Sequence, residues 1–226
     1  MTATVSWGSG PLARSAALVH TLLVVELCVL VTAAPTLVVP VLLDRDASNI
    51  PLLALAAAPL GPALSAAVYA LRHRGHDLTA LSPARTFWRG YRMNVKAVLL
   101  LWLPWLAWAA VAGINLAHPE SAAVPRWWSA ALVTLAAGSL LWQANALVIA
   151  SLYEFRTRDT ARLAAWFLIR TPLVTLGTAG LALAAGLLVV VQSEAVLALL
   201  AAAFAAALLT VSAPMRAEIE ARFTRQ

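Results

Sequence analysis

Long apolar stretches, separated by short polar ones, run through almost the whole chain. Six of them approach or exceed the roughly 20 residues that a helix needs to cross the hydrocarbon core of a bilayer. The pattern therefore predicts an all-α polytopic membrane protein, a bundle of six transmembrane helices with two amphipathic cytoplasmic connectors. The predicted spans are residues 16–43, 50–71, 95–116, 127–151, 173–191 and 195–213.

Prolines predict where these spans are irregular. The second span contains Pro59-Leu60-Gly61-Pro62 near its middle, and two prolines around a glycine must bend or break a helix. Backbone groups freed at such a break need partners, so we expect it to face protein or a water-lined cavity rather than lipid. Pro35 and Pro40 are expected to kink or end the first span, and Pro214 to end the sixth.

The stretch from Ser82 to Lys96 has the densest positive charge in the chain. Ser82 is suited to a helix N-cap and Pro83 to the first helical position. On a helix, four basic residues fall within a sector of roughly 60°, and these are Arg85, Arg89, Arg92 and Lys96. Phe87, Trp88, Tyr91 and Val95 are expected on another side. The stretch is typical of a helix that begins at the membrane surface and leads into the third span.

Residues 153–170 form the second predicted connector, in which Arg158, Arg162, Trp166 and Arg170 recur every four residues. This spacing predicts another amphipathic helix at the interface. The residues expected to contact anionic lipid headgroups or a partner are Arg85, Lys96, Arg158, Arg162 and Arg170.

The distribution of lysine and arginine predicts the orientation in the membrane. Fourteen of these residues lie on one side of the six predicted spans and two on the other. The positive-inside rule then places both termini in the cytoplasm. Since no loop is long enough to form a separate core, residues 1–226 are expected to form a single integral membrane domain.

Composition supports the membrane assignment: 62% of the residues are hydrophobic, 12% are charged and the mean hydropathy is +0.83. So few charges could not cover a water-facing surface. The net charge of +6 could suggest a nucleic-acid partner. We expect no such partner, because the basic residues lie in the short loops between apolar stretches.

Glu26, Gln143 and Asn145 are candidate functional polar residues inside predicted spans. Glu26 lies about ten residues into the first span, where charge is energetically costly. It is a proton- or cation-coupling carboxylate, the partner of an arginine on another helix, or a protonated or hydrogen-bonded structural residue. Gln143 and Asn145 in the fourth span either bridge helices through hydrogen bonds or line a pore.

Catalytic motifs are missing from the sequence: it has no P-loop, no GxGxxG, no HExxH and no pair of cysteines. We therefore expect no enzymatic activity, no metal site and no cofactor.

A longer sequence pattern extends over the second predicted span and the stretch that leads into the third. Residues 59–72 read PLGPALSAAVYALR, and residues 87–94 read FWRGYRMN. Together they resemble the YesL-like family of small bacterial integral membrane proteins of unknown function. The resemblance covers residues 15–115, and the second half only by hydropathy. Its motif residues here are Pro59, Gly61, Pro62, Tyr69, Phe87, Trp88, Arg89, Arg92 and Asn94. It implies a location in the bacterial cytoplasmic membrane and a loose link with carbohydrate uptake.

These observations favour a non-enzymatic accessory or regulatory component of carbohydrate uptake. Expected partners are the anionic bilayer surface and ABC-transporter subunits, and a homo-oligomer is an additional expectation. The alternative is a small transporter or channel, with a cavity at Gly61 and Pro62 and with Glu26 as the coupling group. The paired motif further predicts that Trp88 and Asn94 pack against the break in the second span.

Overall fold

The computed structural model describes residues 11–44, 46–74, 82–118 and 126–223, and within these ranges it leaves out the side chains of residues 11–14 and 126. In the described ranges the chain is helical apart from short connections, which confirms the all-α prediction. The helices are α1 (Pro11–Thr32), α2 (Ala34–Leu42), the 3₁₀ turn η1 (Ala47–Asn49), α3 (Ile50–Ala56), α4 (Leu60–Arg72), α5 (Pro83–Ala117), α6 (Arg126–Leu152), α7 (Thr157–Arg170), α8 (Pro172–Val191), α9 (Glu194–Ala198), α10 (Ala201–Val211) and α11 (Ala213–Phe223). Arg45 and Arg225, which enter the predicted orientation, lie outside the described residues.

Four helices are individually long and apolar enough to cross a membrane, namely α1, α5, α6 and α8. Two bent pairs meet the same criterion when each pair is taken as one span. The residues of η1 and α3 are bent by 41° from α4, and α10 is bent by 54° from α11. The protein is therefore a membrane-embedded helical bundle with four spans that are single helices and up to two broken ones.

The first predicted span consists of two helices, because the chain turns at Ala33 between α1 and α2. Pro35 lies in the first turn of α2, where a missing N–H costs little, and Pro40 lies inside the same helix.

The first predicted connector is not a separate element. Helix α5 begins at Pro83 and continues without interruption for 35 residues to Ala117, which corresponds to about 52 Å. Ser82 is at the N-cap position as predicted, but its side chain makes no capping hydrogen bond. The basic stretch is therefore the N-terminal part of the third span.

The chain after Pro214 is a helix rather than a tail. Pro214 follows the C-cap of α10, Ser212, by two residues, so the helix does end just before it as predicted, and it also lies in the first turn of α11, where proline is well tolerated. Met215 and Ile219 of α11 are completely buried. They pack in a core cluster with residues of α5, α6 and α7, which fixes α11 to the end of the bundle.

Helix α4 lies at the centre of the protein. Ala63, Ala66, Ala67 and Val68 are completely buried, and they form a second core cluster with residues of α1 and α10 and with Phe87. Small side chains allow the neighbouring helices to approach closely, which is how helices commonly pack in membranes.

Candidate functional site

The break before α4 is closed by side chains from other helices. A Cβ atom on Gly61 would lie 2.5 Å from the Cγ atom of Trp102, so the indole ring occupies the space beside this glycine. The Trp102 Nε1 donates a hydrogen bond of 3.0 Å to the carbonyl of Ala57. The Thr36 hydroxyl donates one of 2.8 Å to the carbonyl of Ala56. The freed carbonyls therefore face protein, which confirms the prediction for this break.

Trp88 does not pack against the break, and this prediction was wrong. The tryptophan that does so is Trp102, which follows Trp88 by fourteen residues, or about 21 Å along α5. The side chain of Trp88 is instead 40% exposed. The sequence shows that Trp102 is another aromatic residue of the same helix, but no local pattern selects it over Trp88 for the contact with Gly61.

Asn94 does contact α4, one turn after the break. Its Nδ2 donates to the Ser65 Oγ at 3.3 Å and to the carbonyl of Ser151 at 3.0 Å. The Ser151 hydroxyl in turn donates to the Ser65 Oγ at 2.9 Å. Ser65 and Ser151 are almost completely buried. These three residues form one polar cluster that joins α4, α5 and α6.

Removing this cluster is expected to loosen the three helices. Hydrogen bonds between membrane helices contribute about 0.6 kcal/mol on average and up to about 1.7. We expect Ser151→Ala and Asn94→Leu each to lower the free energy of unfolding in detergent by about 1 kcal/mol. The double variant should cost less than the sum, because the residues share partners. Thr134→Ala, on the exposed side of α6, is the matched control; strictly additive losses would contradict a connected cluster.

Glu26 contacts the beginning of α10, where the sixth predicted span is interrupted after α9. Its Oε2 atom accepts a hydrogen bond of 2.7 Å from the backbone N–H of Ala202. Its Oε1 atom is buried without a hydrogen-bond partner among the described residues. The first N–H groups of a helix have no partner within the helix, so a carboxyl group from α1 supplies one here. This geometry supports the structural interpretation of Glu26.

Trp142 and Asn145 of α6 donate hydrogen bonds to the amphipathic helix α7. The Asn145 Nδ2 donates to the carbonyl of Ala164 at 3.5 Å, and the Trp142 Nε1 donates to that of Ala161 at 3.0 Å. Gln143 is also buried, and its Oε1 has no hydrogen-bond partner among the described residues. Asn145 therefore bridges two helices through a hydrogen bond. Of the two alternatives given for it, this is the one that does not involve a pore.

An exposed face at the start of α5 carries the basic residues of the predicted stripe. We call the set Arg85, Trp88, Arg89, Arg92 and Met93 the basic surface; these residues border an open groove of about 700 Å³. Lys96 is exposed one turn further along the helix. Trp88 is exposed on this side of α5, and its ring also contacts the rings of Phe87 and Tyr91, with centroids 5.8 and 5.6 Å apart. The basic surface thus presents positive charge together with Trp88 and Met93, which are 40% and 52% exposed.

The other motif residues have packing roles. Pro59 is the N-cap residue of α4, and Pro62 and Phe87 are buried. Tyr69 packs against Gly90, where an added Cβ would lie 2.8 Å from the Tyr69 Cβ. The motif therefore describes the close contact between α4 and α5.

The arginines of α7 differ in their surroundings. Arg158 and Arg162 are exposed, whereas the Arg170 Nε lies 3.2 Å from Glu218 of α11. The Arg170 guanidinium also lies over the ring of Trp166, 5.8 Å from its centre. Arg170 therefore holds α11 in place in addition to any contact with a headgroup.

Helix α11 also contacts the connection between α6 and α7. The Tyr153 hydroxyl donates to Glu220 at 3.1 Å. Burial and the nearby Glu220 carboxylate raise the pKa of Tyr153 to about 12. These contacts could not be predicted from the sequence, because acidic and basic residues near a C-terminus are also typical of a solvated tail.

Comparison with protein families gives one match, over residues 18–116, to a family described as a protein of unknown function, DUF624. The matched region extends from α1 to the last residues of α5, and it includes the break before α4 and the basic surface. The comparison with curated proteins gave no match, and neither did that with solved structures.

Proposed function

We propose that this protein is a non-enzymatic accessory or regulatory membrane protein that uses the basic surface to bind an acidic segment of a partner at the cytoplasmic face. The observation that carries the proposal is the exposed set of three arginines with Trp88 and Met93. Exposed aromatic and arginine side chains are the residue types that most often anchor protein interfaces.

The length of α5 supports this use of its N-terminal part. The helix is about 52 Å long, and the hydrocarbon core of a bilayer is about 30 Å thick. About 20 Å of α5 therefore extends beyond the core, and the basic residues at its N-terminus suit the headgroup region and the solution next to it. The distribution of arginine and lysine favours the cytoplasmic side.

The class of partner follows from the resemblance to the YesL-like family of bacteria, which is linked with carbohydrate uptake. Subunits of a carbohydrate ABC transporter are accordingly the proposed partners, in the bacterial cytoplasmic membrane. An acidic amphipathic segment of such a subunit would match both the charge and the apolar groups of the basic surface.

The closed helix breaks favour an accessory role over transport. The space beside Gly61 is filled by the Trp102 ring, and the Glu26 carboxyl is bonded to the backbone of Ala202. The space at Gly61 is therefore filled, and one of the two carboxyl oxygens of Glu26 is engaged within the protein. Flux of a sugar or cation in proteoliposomes that is lost in Glu26→Gln would support the transport alternative.

Photocrosslinking tests the proposal directly. A photoreactive residue is placed at Met93 in cells, with the same residue at the exposed Val133 of α6 as the control for lipid-facing positions. We expect a carbohydrate ABC-transporter subunit to be crosslinked from position 93 only. Crosslinks to lipid alone, to a second copy of this chain alone, or equally from both positions would contradict it.

Charge removal gives a second, quantitative test. Neutralising three exposed arginines in R85Q/R89Q/R92Q should lower the crosslink yield about tenfold, since exposed pairs contribute up to about 1 kcal/mol each. The control R156Q/R158Q/R162Q removes the same charge at exposed positions around α7 and should leave the yield unchanged.

A further inference from the structure

A pocket of about 590 Å³ lies where the start of α1, the ends of α4 and α10 and the start of α11 meet. Its lining along the spans is apolar and includes Leu18, Leu22 and Ala207. Its other side is lined by three arginines, Arg72, Arg74 and Arg216. The pocket is separate from the basic surface, and it combines a charged end with an apolar wall.

The three guanidinium groups are poorly neutralised by the described residues. The Arg72 Nη2 is 3.7 Å from Glu220 in a pair whose side chains are both about half exposed, so this contact is weak. Arg74 forms no ion pair with any described residue. Arg216 donates through Nη2 to the carbonyl of Leu209, but its Nε is buried with no acceptor among the described residues. Among the described residues, the carboxylate of Glu220 is therefore the one that forms an ion pair with any of these three arginines.

We propose that this pocket holds one anionic glycerophospholipid. The phosphate and headgroup lie between Arg72, Arg74 and Arg216, and one acyl chain follows the apolar wall at Leu18, Leu22 and Ala207. Basic pockets between membrane helices on the cytoplasmic side are suited to lipid headgroups. The apolar wall favours a lipid over a free phosphate ion, because a soluble anion would leave it uncovered. A bound lipid would join α1, α4, α10 and α11.

Lipid titration followed by native mass spectrometry tests the site in the full chain in mild detergent. We expect one phosphatidylglycerol molecule to bind in preference to phosphatidylcholine. R72Q/R74Q should weaken this binding about 30-fold, because each arginine near an anionic headgroup contributes about 1 kcal/mol. The control Arg156→Gln removes an exposed arginine that lies outside the pocket and outside the basic surface, and it should change the affinity by less than about twofold. An equal loss in both variants would overturn the proposal, since it would indicate a general effect of charge.

The apolar wall is tested without changing any charge. Ala207→Phe places a ring along the proposed path of the acyl chain and is expected to reduce phosphatidylglycerol binding by a similar factor. Glycerol phosphate, which has the phosphate but no acyl chain, should not compete at millimolar concentration. Unchanged lipid binding in Ala207→Phe, or full competition by glycerol phosphate, would overturn a lipid site.

Discussion

Gly61→Ala is expected to destabilise the protein by about 1 to 3 kcal/mol, the usual cost of inserting a methyl group into a filled core. The new Cβ would lie 2.5 to 2.9 Å from three ring atoms of Trp102. The ring cannot simply move away, because its Nε1 is bonded to the carbonyl of Ala57. The gain in helix propensity from glycine to alanine is no more than about 1 kcal/mol, so the steric term is larger.

Unfolding in detergent, followed by circular dichroism as a denaturing detergent is added, measures this effect. Gly138→Ala is the matched control, because beyond its own stretch of helix no atom of the described residues lies within 4 Å of the Cβ position there; it should be neutral or slightly stabilising. The double variant Gly61→Ala with Trp102→Leu should lose less than the sum of the single changes. A coupling free energy near zero would show that the two residues are not in the contact described.

Glu26→Leu is the second change with a large expected effect. It leaves the N–H of Ala202 without an acceptor in the interior of the bundle, which costs about 1 to 3 kcal/mol. Glu26→Gln keeps an oxygen that can accept the same hydrogen bond and should cost less than about 1 kcal/mol. Because α10 has only eleven residues, a weakened start should also increase hydrogen exchange at its first amides.

Glu194 provides the control for removing an acidic residue. It is exposed in the first turn of α9, so Glu194→Leu should change the free energy of unfolding by less than about 0.5 kcal/mol. If Glu26→Gln were as damaging as Glu26→Leu, the negative charge would be essential and hydrogen-bond acceptance alone would be an insufficient explanation. If neither variant lost stability, the contact with α10 would contribute nothing.

The sequence predicted the elements that depend on local rules. Apolar stretches of membrane length indicated the spans, and Pro59, Gly61 and Pro62 indicated the break between α3 and α4. The spacing of Arg85, Arg89 and Arg92 indicated the basic side of a helix. These predictions needed only hydropathy, the geometry of a helix and the missing N–H of proline.

Predictions about partners across space were less successful. Trp88 was expected at the break, but Trp102, fourteen positions later, is there. The prediction failed because both are tryptophans of one helix, and helical periodicity does not select between them. Pro214 was expected to end the sixth span and to be followed by a tail; α10 does end just before it, but the chain continues as α11. Proline is compatible with the end of one helix and the start of the next, and only the burial of Met215 and Ile219 shows that the chain beyond it is packed against the bundle.

The sequence by itself determined that this protein is a membrane-embedded helical bundle with broken spans, because the bilayer demands long apolar helices and proline interrupts them. Only the tertiary structure decided what closes each break. Trp102 and Thr36 satisfy the carbonyls before α4, and Glu26 satisfies the start of α10. Each contact joins residues far apart in the chain, and the packing of whole helices selects them, which no local pattern encodes.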